Sequence, residues 1–498
     1  MMQTAHAHAD AVDLATLLDG VAGVPHVAVA DLTLDSRAVR PGSAFVALRG
    51  LMTHGLEHAA EATARGATVV LYDPAEGHEA PALPLGATAV RVPGLRARLG
   101  DVASRFYGAP SERVEVAGVT GTNGKTTCAW LLAQAWGAQG AYVGTLGAGR
   151  TGAVVAGTHT TPDVVSVHRL LRDLQDSGAR RVAMEISSHA LDQQRIAGVR
   201  IRVAGFTNLT RDHLDYHGTM DAYGAAKERL FACRGVAHAV VNVGDPWGRA
   251  MAGRLPAGVR LTAAHAGDAT VSAERWVVAR AVRCVPHGLE LDGDTHEGPF
   301  ALRSPLIGAF NAENLVVVLG MLLAGGMPLQ AATDALGVAT APPGRMESFP
   351  LPSGAVLVVD YAHSPDALDK ALAALRAHCS ARLWCVFGCG GDRDPGKRPQ
   401  MAAIAEARSD AIVITDDNPR SEDADRIVAQ IRSGLAGRVP VQVERDRAAA
   451  IRLAARSAHA GDVILVAGKG HEDYQVVGKE RRAYSDRDEA RRLQEEAA

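Results

Sequence analysis

The densest chemistry in the chain is the run Gly118-Val119-Thr120-Gly121-Thr122-Asn123-Gly124-Lys125-Thr126-Thr127. It follows a β-branched stretch, Val114 to Val119, and opens an apolar-periodic helix from Lys125, the setting a phosphate-binding loop requires. Glycines let backbone N–H groups turn inward on phosphate oxygens, and the helix N-terminus adds positive potential. Lys125 can reach the β and γ oxygens and Thr126 can hold Mg2+. Val119 stands where the common pattern has its first glycine. The alternative is a glycine-rich turn with an exposed lysine.

Other residues could act beside such a loop. Glu185 ends an apolar strand, where a carboxylate is either a surface strand end or a metal ligand. Asp212, His213, Asp215 and His217 could form a zinc cluster, but the Glu of a helical His-Glu-x-x-His site is absent. Lys227 lies in a helical segment, Ala222 to Phe231, where the default lysine is solvated or ion-paired. Asn311 and Asn314 precede a buried apolar helix, Leu315 to Leu323, and could be capping residues. Gly388-Cys389-Gly390-Gly391-Asp392-Arg393 follows a strand but lacks Gly-x-Gly-x-x-Gly spacing. Cys385 and Cys389 read as buried thiols, because no second cysteine pair follows them. Arg420 stands on a turn after a strand, either as a surface residue or as a carboxylate-binding fork.

The elements that must position these groups alternate between strand and helix. At 498 residues the chain is long enough for about three domains of ~100–200 residues. A small α/β region has a strand-turn signal at Leu32 to Ser36 and strands at Ala44 to Leu48 and Ala67 to Leu71, with a helix near Glu57 to Arg65. A helix at Arg96 to Tyr107 leads into a central region with further strands at Arg181 to Ile186 and Val203 to Thr207. After Ala341-Pro342-Pro343-Gly344 come strands at Val356 to Asp360, Leu383 to Phe387, Ala411 to Thr415 and Val463 to Ala467, with a helix opened by Ser364-Pro365. Strands separated by helix-length segments imply mostly parallel sheets, with ligands beyond their carboxyl ends. A net charge of -3 argues against a generally basic nucleic-acid binder. Six scattered cysteines point to a reducing compartment. Met1 to Asp13 does not read as a secretory signal, and the most apolar run, Leu315 to Met327, is short of the ~20 residues of a membrane span.

Thr120 to Thr126 resembles the nucleotide loop of the Mur ligase family, the ATP-dependent amide ligases of peptidoglycan precursor synthesis. Further segments are similar to the family in order: Asp35-Ser36-Arg37, Thr160-Thr161-Pro162, Glu185 to His189, Asn208 to His217, Ala226-Lys227, Asn311 to Asn314, Gly344 to Glu347, Asp360 to His363, Asp417-Asn418-Pro419-Arg420 and Gly468 to Glu472. The pattern is closest to members that add the third amino acid. The resemblance implies an α/β protein of three domains: a small UDP-sugar-binding domain at residues 1–92, a central P-loop ATPase-like domain at 93–341, and a Rossmann-like amino-acid-binding domain at 342–498.

The implied reaction joins UDP-N-acetylmuramoyl-L-alanyl-D-glutamate to meso-2,6-diaminopimelate through an acyl phosphate, with ATP and Mg2+. Lysine or ornithine as the amino acid, a folylpolyglutamate synthetase-like ligase, and a nucleotide-binding switch without chemistry are the alternatives. ATP contacts are implied for Gly121, Thr122, Asn123, Gly124, Lys125, Thr126, Thr127, Asn311, Arg345 and Asp360. The metal set is Thr126, Glu185, His213 and Lys227 as a carbamate, and the catalytic set is Lys125, Glu185, His213 and Lys227. Ser36, Thr160, Thr161, Ser187, Gln193 and Arg195 are implied for the sugar nucleotide; His159 replaces an Asn frequent in relatives, and no contact is carried over to it. Arg393, Asp417, Asn418, Pro419, Arg420, Gly468 and Glu472 are implied for diaminopimelate. A cytoplasmic monomer, without nucleic-acid partner or membrane insertion, completes the expectation.

Overall fold

The computed structural model describes residues 11–50, 53–76, 81–157, 159–267 and 273–496. The chain divides into two compact units. One takes in the chain up to Lys125 with Trp136–Ala239 and Gly253–Arg260; the other takes in Thr126–Ala135, Val240–Ala252 and the chain from Leu261 onward.

In the first unit, Asp31–Thr33, Ser43–Ala47, Ala67–Tyr72 and Thr88–Arg91 form a parallel sheet in that order. Alternate side chains serve two cores, as the period of two along a strand requires. Ala44, Val46, Val69 and Leu71 face one that is closed by Leu95, Leu99, Val102, Ala103 and Phe106 of the helix Leu95–Phe106. Phe45, Ala47, Val70 and Tyr72 face the other. The helix expected near Glu57 to Arg65 is a 3-10 turn, Gly55–His58, continued by an α-helix, Ala59–Ala64, because a capping box at His54 starts the turn. A second run of strands has the order Ile201–Phe206, Glu115–Thr120, Arg181–Glu185, Gly140–Gly144, Gly147–Arg150, parallel except for the last, antiparallel pair.

In the second unit, Arg275–Val285, Gly288–Thr295 and Gly298–Ser304 form an antiparallel meander, with Arg260–Ala266 parallel to its first strand. Asn311–Ala324 is buried on nearly all sides. A six-stranded sheet follows in the order Glu347–Pro350, Val356–Asp360, Val463–Ala467, Leu383–Phe387, Ala411–Ile414, Val441–Val443, with only its first pair antiparallel. Val356, Val358, Cys385, Ile412 and Leu465 face one core. Leu357, Val359, Val386, Val413 and Val466 face the other. Covered faces on both sides explain why these strands read as unbroken apolar runs instead of alternating ones. Pro365–Arg376 starts where the sequence implies, with Ser364 Oγ accepting from Ala367 N. Among the described residues no helix is long and apolar enough to cross a membrane.

Candidate active site

In the first unit the chemistry gathers beyond the carboxyl ends of the parallel strands. Gly121 has φ 147, and a Cβ there would lie 1.9 Å from Thr207 Oγ1, so only glycine lets the loop pass the end of Ile201–Phe206. Asn123 N donates to Asn208 Oδ1 at 2.9 Å, Thr207 Oγ1 donates to Asn123 O at 2.6 Å, and Thr210 N donates to Thr122 Oγ1 at 3.0 Å. The segment after one strand therefore shapes the loop after its neighbour. Val119 is still within Glu115–Thr120, its carbonyl accepting from Ile186 N at 2.8 Å, so the missing first glycine falls in a strand that does not need one. Lys125 is not the exposed lysine of a bare turn. Its ammonium folds onto the carbonyls of Gly121 and Thr122, at 2.9 and 2.8 Å. Gly124 turns with φ 84, and Thr126 and Thr127 follow, half-buried, in the first turn of Lys125–Ala135.

Glu185 is fully buried, which overturns the surface strand end considered for it. Tyr142 Oη, Thr145 N and Thr145 Oγ1 all donate to its carboxylate. Gly144 makes room, since a Cβ there would lie 2.1 Å from Glu185 Oε1. Lys227 is 1% exposed, so the solvated lysine expected by default is also overturned. It sits in Met220–Glu228, a helix capped by Thr219 and continued by a 3-10 turn, Arg229–Ala232. Its Nζ donates to Gly121 O at 2.7 Å and lies 4.3 Å from the Tyr223 ring centre. Burial, followed by the nearby Lys125 ammonium, pulls its pKa down from 10.5 to about 6. His213 is exposed on a left-handed residue, φ 50, with its ring 4.9 Å from that of His189.

Thr161 links Glu185 to a cavity of about 600 Å³. Its Oγ1 donates to Glu185 O at 2.8 Å, and its carbonyl accepts from Arg195 Nη1 at 2.9 Å. Gln193 and Arg195 line the cavity and are tied together through Gln193 Oε1. Thr160 and Ser187 stay behind it, Thr160 against Thr145 Oγ1 and Ser187 as N-cap of Ser188–Asp192. Ser36 turns away: its Oγ donates to Glu61 Oε2 at 2.7 Å, whereas its neighbours Asp35 and Arg37 line the space. His159, Arg96 and Arg169 line it as well. Arg169 ties the wall together by donating to Asp31 Oδ1, Leu32 O and Tyr107 Oη. A lone arginine on an amphipathic helix carries no sequence signal for that role.

In the second unit the residues gather at the carboxyl ends of four parallel strands. Asp360 ends Val356–Asp360; its carboxylate accepts from Met346 N and Ala362 N, both at 2.9 Å, while burial raises its pKa. Arg345 lies 5.0 Å from the Tyr361 ring centre. Asn311 and Asn314 do not precede their helix as expected. Both lie in its first turn, and Asn314 Nδ2 donates to Asn311 Oδ1, whose own amide donates to Ile307 O. Neither accepts from a free N–H as a cap would; the helix reaches further toward its N-terminus than its apolar run suggests.

The remaining group converges around Gly390. A Cβ there would lie 2.8 Å from Arg420 Nη1 and 3.6 Å from Arg393 Cγ, so two arginines approach over a residue without a side chain. Gly391 N donates to Asn418 O at 2.9 Å, and a Cβ on Gly391 would strike Pro419 O. Asn418 Nδ2 donates to Glu472 Oε2 at 3.2 Å. A Cβ on Gly468 would lie 3.7 Å from Asp417 Oδ2. All seven residues implied for the amino acid thus belong to one cluster. Cys385 and Cys389 are both buried; burial raises both thiols, Cys389 to about 12.

Among the described residues no group of three or more His, Cys, Asp or Glu side chains is placed to hold a metal ion. Mg2+ takes one or two carboxylates and completes its shell with phosphate oxygens and water, so Glu185, which ends the strand paired with Glu115–Thr120, is a carboxylate that fits such a partial site.

Comparison with known proteins gives three successive matches along the chain. The Mur ligase family catalytic domain matches residues 29–107, the Mur ligase middle domain 119–322, and the Mur ligase glutamate ligase domain 344–470. A UDP-N-acetylmuramoyl-L-alanyl-D-glutamate--2,6-diaminopimelate ligase of Xanthomonas campestris pv. campestris is 50% identical over 481 residues, 96% of each chain. The solved structure of an enzyme with that same name superposes with a TM-score of 0.73 at 34% identity, over 98% of this chain and 99% of that one. Folylpolyglutamate synthase of Mycobacterium tuberculosis, at 18% identity and TM-score 0.55, covers 75% of this chain and 92% of its own, and shares the fold alone. On the three domain matches and on identity extending over nearly the whole length, the chain belongs to the Mur ligase family.

Proposed function

We propose that the chain is an ATP-dependent amide ligase that joins the D-Glu γ-carboxylate of UDP-N-acetylmuramoyl-L-alanyl-D-glutamate to an amine of meso-2,6-diaminopimelate in peptidoglycan precursor synthesis. The observation that carries this reading is the approach of Arg393 and Arg420 over Gly390. Diaminopimelate has a carboxylate at each end, whereas lysine and ornithine end in an ammonium that the Arg420 guanidinium, held by Gly391 O at 2.7 Å, would repel.

A carboxylate is a poor electrophile. Transfer of the ATP γ-phosphoryl group makes an acyl phosphate and ADP; the amine then attacks the carbonyl carbon, and the tetrahedral intermediate expels phosphate to leave the amide. Lys125, the N–H of Gly124 and the N-terminus of the helix Lys125–Ala135 neutralise the transferred phosphoryl, and positioning supplies much of the rest. Asn311, Arg345 and Asp360 complete the ATP contacts. Bound Mg2+ supplies charge neutralisation at the phosphate oxygens, and Thr126, Glu185, His213 and Lys227 are the residues that would hold it. A neutral amine adds CO2 to give a carbamate and a proton, and the lowered pKa of Lys227 favours that neutral form. Gln193 and Arg195, with Thr160, Thr161 and Ser187 behind them, serve the sugar nucleotide; Ser36 serves its uridine end once released from Glu61. The three domains divide at 1–92, 93–341 and 342–498, and the enzyme works as a cytoplasmic monomer.

The test is ADP release with the acceptor and diaminopimelate, lysine or ornithine, in wild type and Arg420→Ala. Release should require both the acceptor and diaminopimelate. Loss of the charge-assisted pair at Arg420 should cost about 2–5 kcal/mol for diaminopimelate and change lysine little. A wild type that prefers lysine or ornithine, or equal losses for both amino acids, would remove the assignment.

A further inference from the structure

The turn that carries Asn418 and Arg420 does not hold its shape alone. Arg420 has φ 54, in the left-handed region that costs a side-chain-bearing residue roughly 1–2 kcal/mol. Both its backbone groups are tied to the hairpin of Tyr474–Val477 and Glu480–Ala483: Arg420 N donates to Val476 O at 3.0 Å, and Gly478 N donates to Arg420 O at 2.7 Å. Val476 N donates to Asn418 Oδ1 at 2.9 Å, and Gln475 Nε2 donates to Asp417 O at 2.7 Å. The root of the hairpin is Lys469, whose side chain is 0% exposed. Its ammonium donates to Asn418 Oδ1 at 3.0 Å and Tyr474 O at 2.8 Å, and lies 3.3 Å from Asp417 Oδ1 and 3.7 Å from Glu472 Oε2.

These bonds have a directional consequence. Two donors, Lys469 Nζ and Val476 N, meet Asn418 Oδ1, so the amide cannot flip without facing donor against donor. Its NH2 is thereby held toward Glu472. An isolated two-stranded hairpin is marginal at best, and Glu480–Ala483 is exposed throughout, so the hairpin gains its place from the turn just as the turn gains its shape from the hairpin.

We propose that Lys469 and the hairpin Tyr474–Ala483 form a clasp that sets the geometry of Asn418 and Arg420, and so the selection of the second carboxylate of the incoming amino acid. Lys469 and Gln475 are positioning residues in this assignment, which rests on the diaminopimelate reading above. Misplacing a substrate clamp by about 1 Å is enough to lose about 100-fold in rate.

The test compares Gln475→Ala and Lys469→Met with Arg420→Ala, measuring kcat and KM for diaminopimelate and lysine at saturating ATP and acceptor. Gln475→Ala should raise KM for diaminopimelate about 10-fold, and Lys469→Met should lower its kcat/KM about 100-fold. KM for ATP and for the sugar nucleotide should stay within about twofold in both, a split that general loosening would not produce. The ratio of diaminopimelate to lysine should narrow. If Lys469→Met fails to fold, Gln475→Ala, at a half-buried position, decides the matter. A lost ratio in Arg420→Ala beside an unchanged diaminopimelate KM in Gln475→Ala would overturn the clasp alone. An unchanged ratio in Arg420→Ala would overturn the substrate reading and the clasp with it.

Discussion

Lys125 opens its helix with its ammonium folded onto two loop carbonyls. Lys125→Ala should lower turnover by at least about 100-fold at saturating ATP, because the removed charge faces the phosphoryl group as it transfers. Circular dichroism should remain that of wild type, since a half-buried first-turn side chain contributes little to the core; near-normal turnover in a folded variant would sink the phosphate-loop assignment. Backbone strain marks the same places. Of the six described non-glycine residues with positive φ, five, Gln194, His213, Met346, Asp392 and Arg420, are or adjoin a residue proposed for a substrate or metal; Ala109 is the exception. Such outliers persist where surrounding structure holds them, and functional segments are where they collect.

At the scale of elements, the six-stranded sheet must end its strands in a fixed array for the four turns that follow its parallel strands to meet. One buried ion pair secures the end of Val463–Ala467. Arg447 donates to both Asp486 oxygens and to Ala467 O, the residue before Gly468, and the paired side chains are 1% and 0% exposed. Asp486→Asn should destabilise the protein by about 3–5 kcal/mol, because it leaves a guanidinium in the interior without its charge partner. The double variant Arg447→Met/Asp486→Leu should recover much of that loss. Urea titrations of the two variants decide it; a single variant as stable as wild type would show that the pair is not holding the strand.

For the molecule as a whole, ligand effects should follow the division into two compact units. Hydrogen exchange with the sugar nucleotide should slow amides in the segments Thr33 to Ala38 and His159 to Ser166, most of whose residues line the cavity, and leave Gly388 to Asp392 and Asp417 to Arg420 to respond to diaminopimelate. A sugar nucleotide that leaves the first set unchanged would exclude the cavity as its site. Global stability should also carry the signature of Lys227. Its folded pKa of about 6 lies below the ordinary 10.5, so the unfolded chain binds the proton more readily between those values. Stability should therefore fall as pH falls from 10.5 toward 6, by at most about 1.4 kcal/mol per unit, and the slope should flatten below 6. Lys227→Met should abolish this component. Urea titrations from pH 6.5 to 9.5 in CO2-free buffer test it, and parallel curves for wild type and variant would contradict the buried neutral amine.

The sequence by itself determined the features that depend on local order. The phosphate loop needs a strand, glycines, Lys125 and a helix start in succession, and all of these are neighbours in the chain. The apolar strands and the Ser364 cap were legible for the same reason. Only tertiary structure decided the environments. Glu185 reads as a strand end that could face water; Gly144, Tyr142 and Thr145 bury it and supply its donors. Lys227 reads as one more helical lysine; the loop carbonyl of Gly121, 106 positions earlier, gives it a partner and burial lowers its pKa. Ser36 lies in a family segment, yet its hydroxyl is taken by Glu61, while Arg169, without any motif, braces the cavity wall. Burial, pKa and side-chain direction depend on which distant segments arrive at a residue, and no local pattern encodes that arrival.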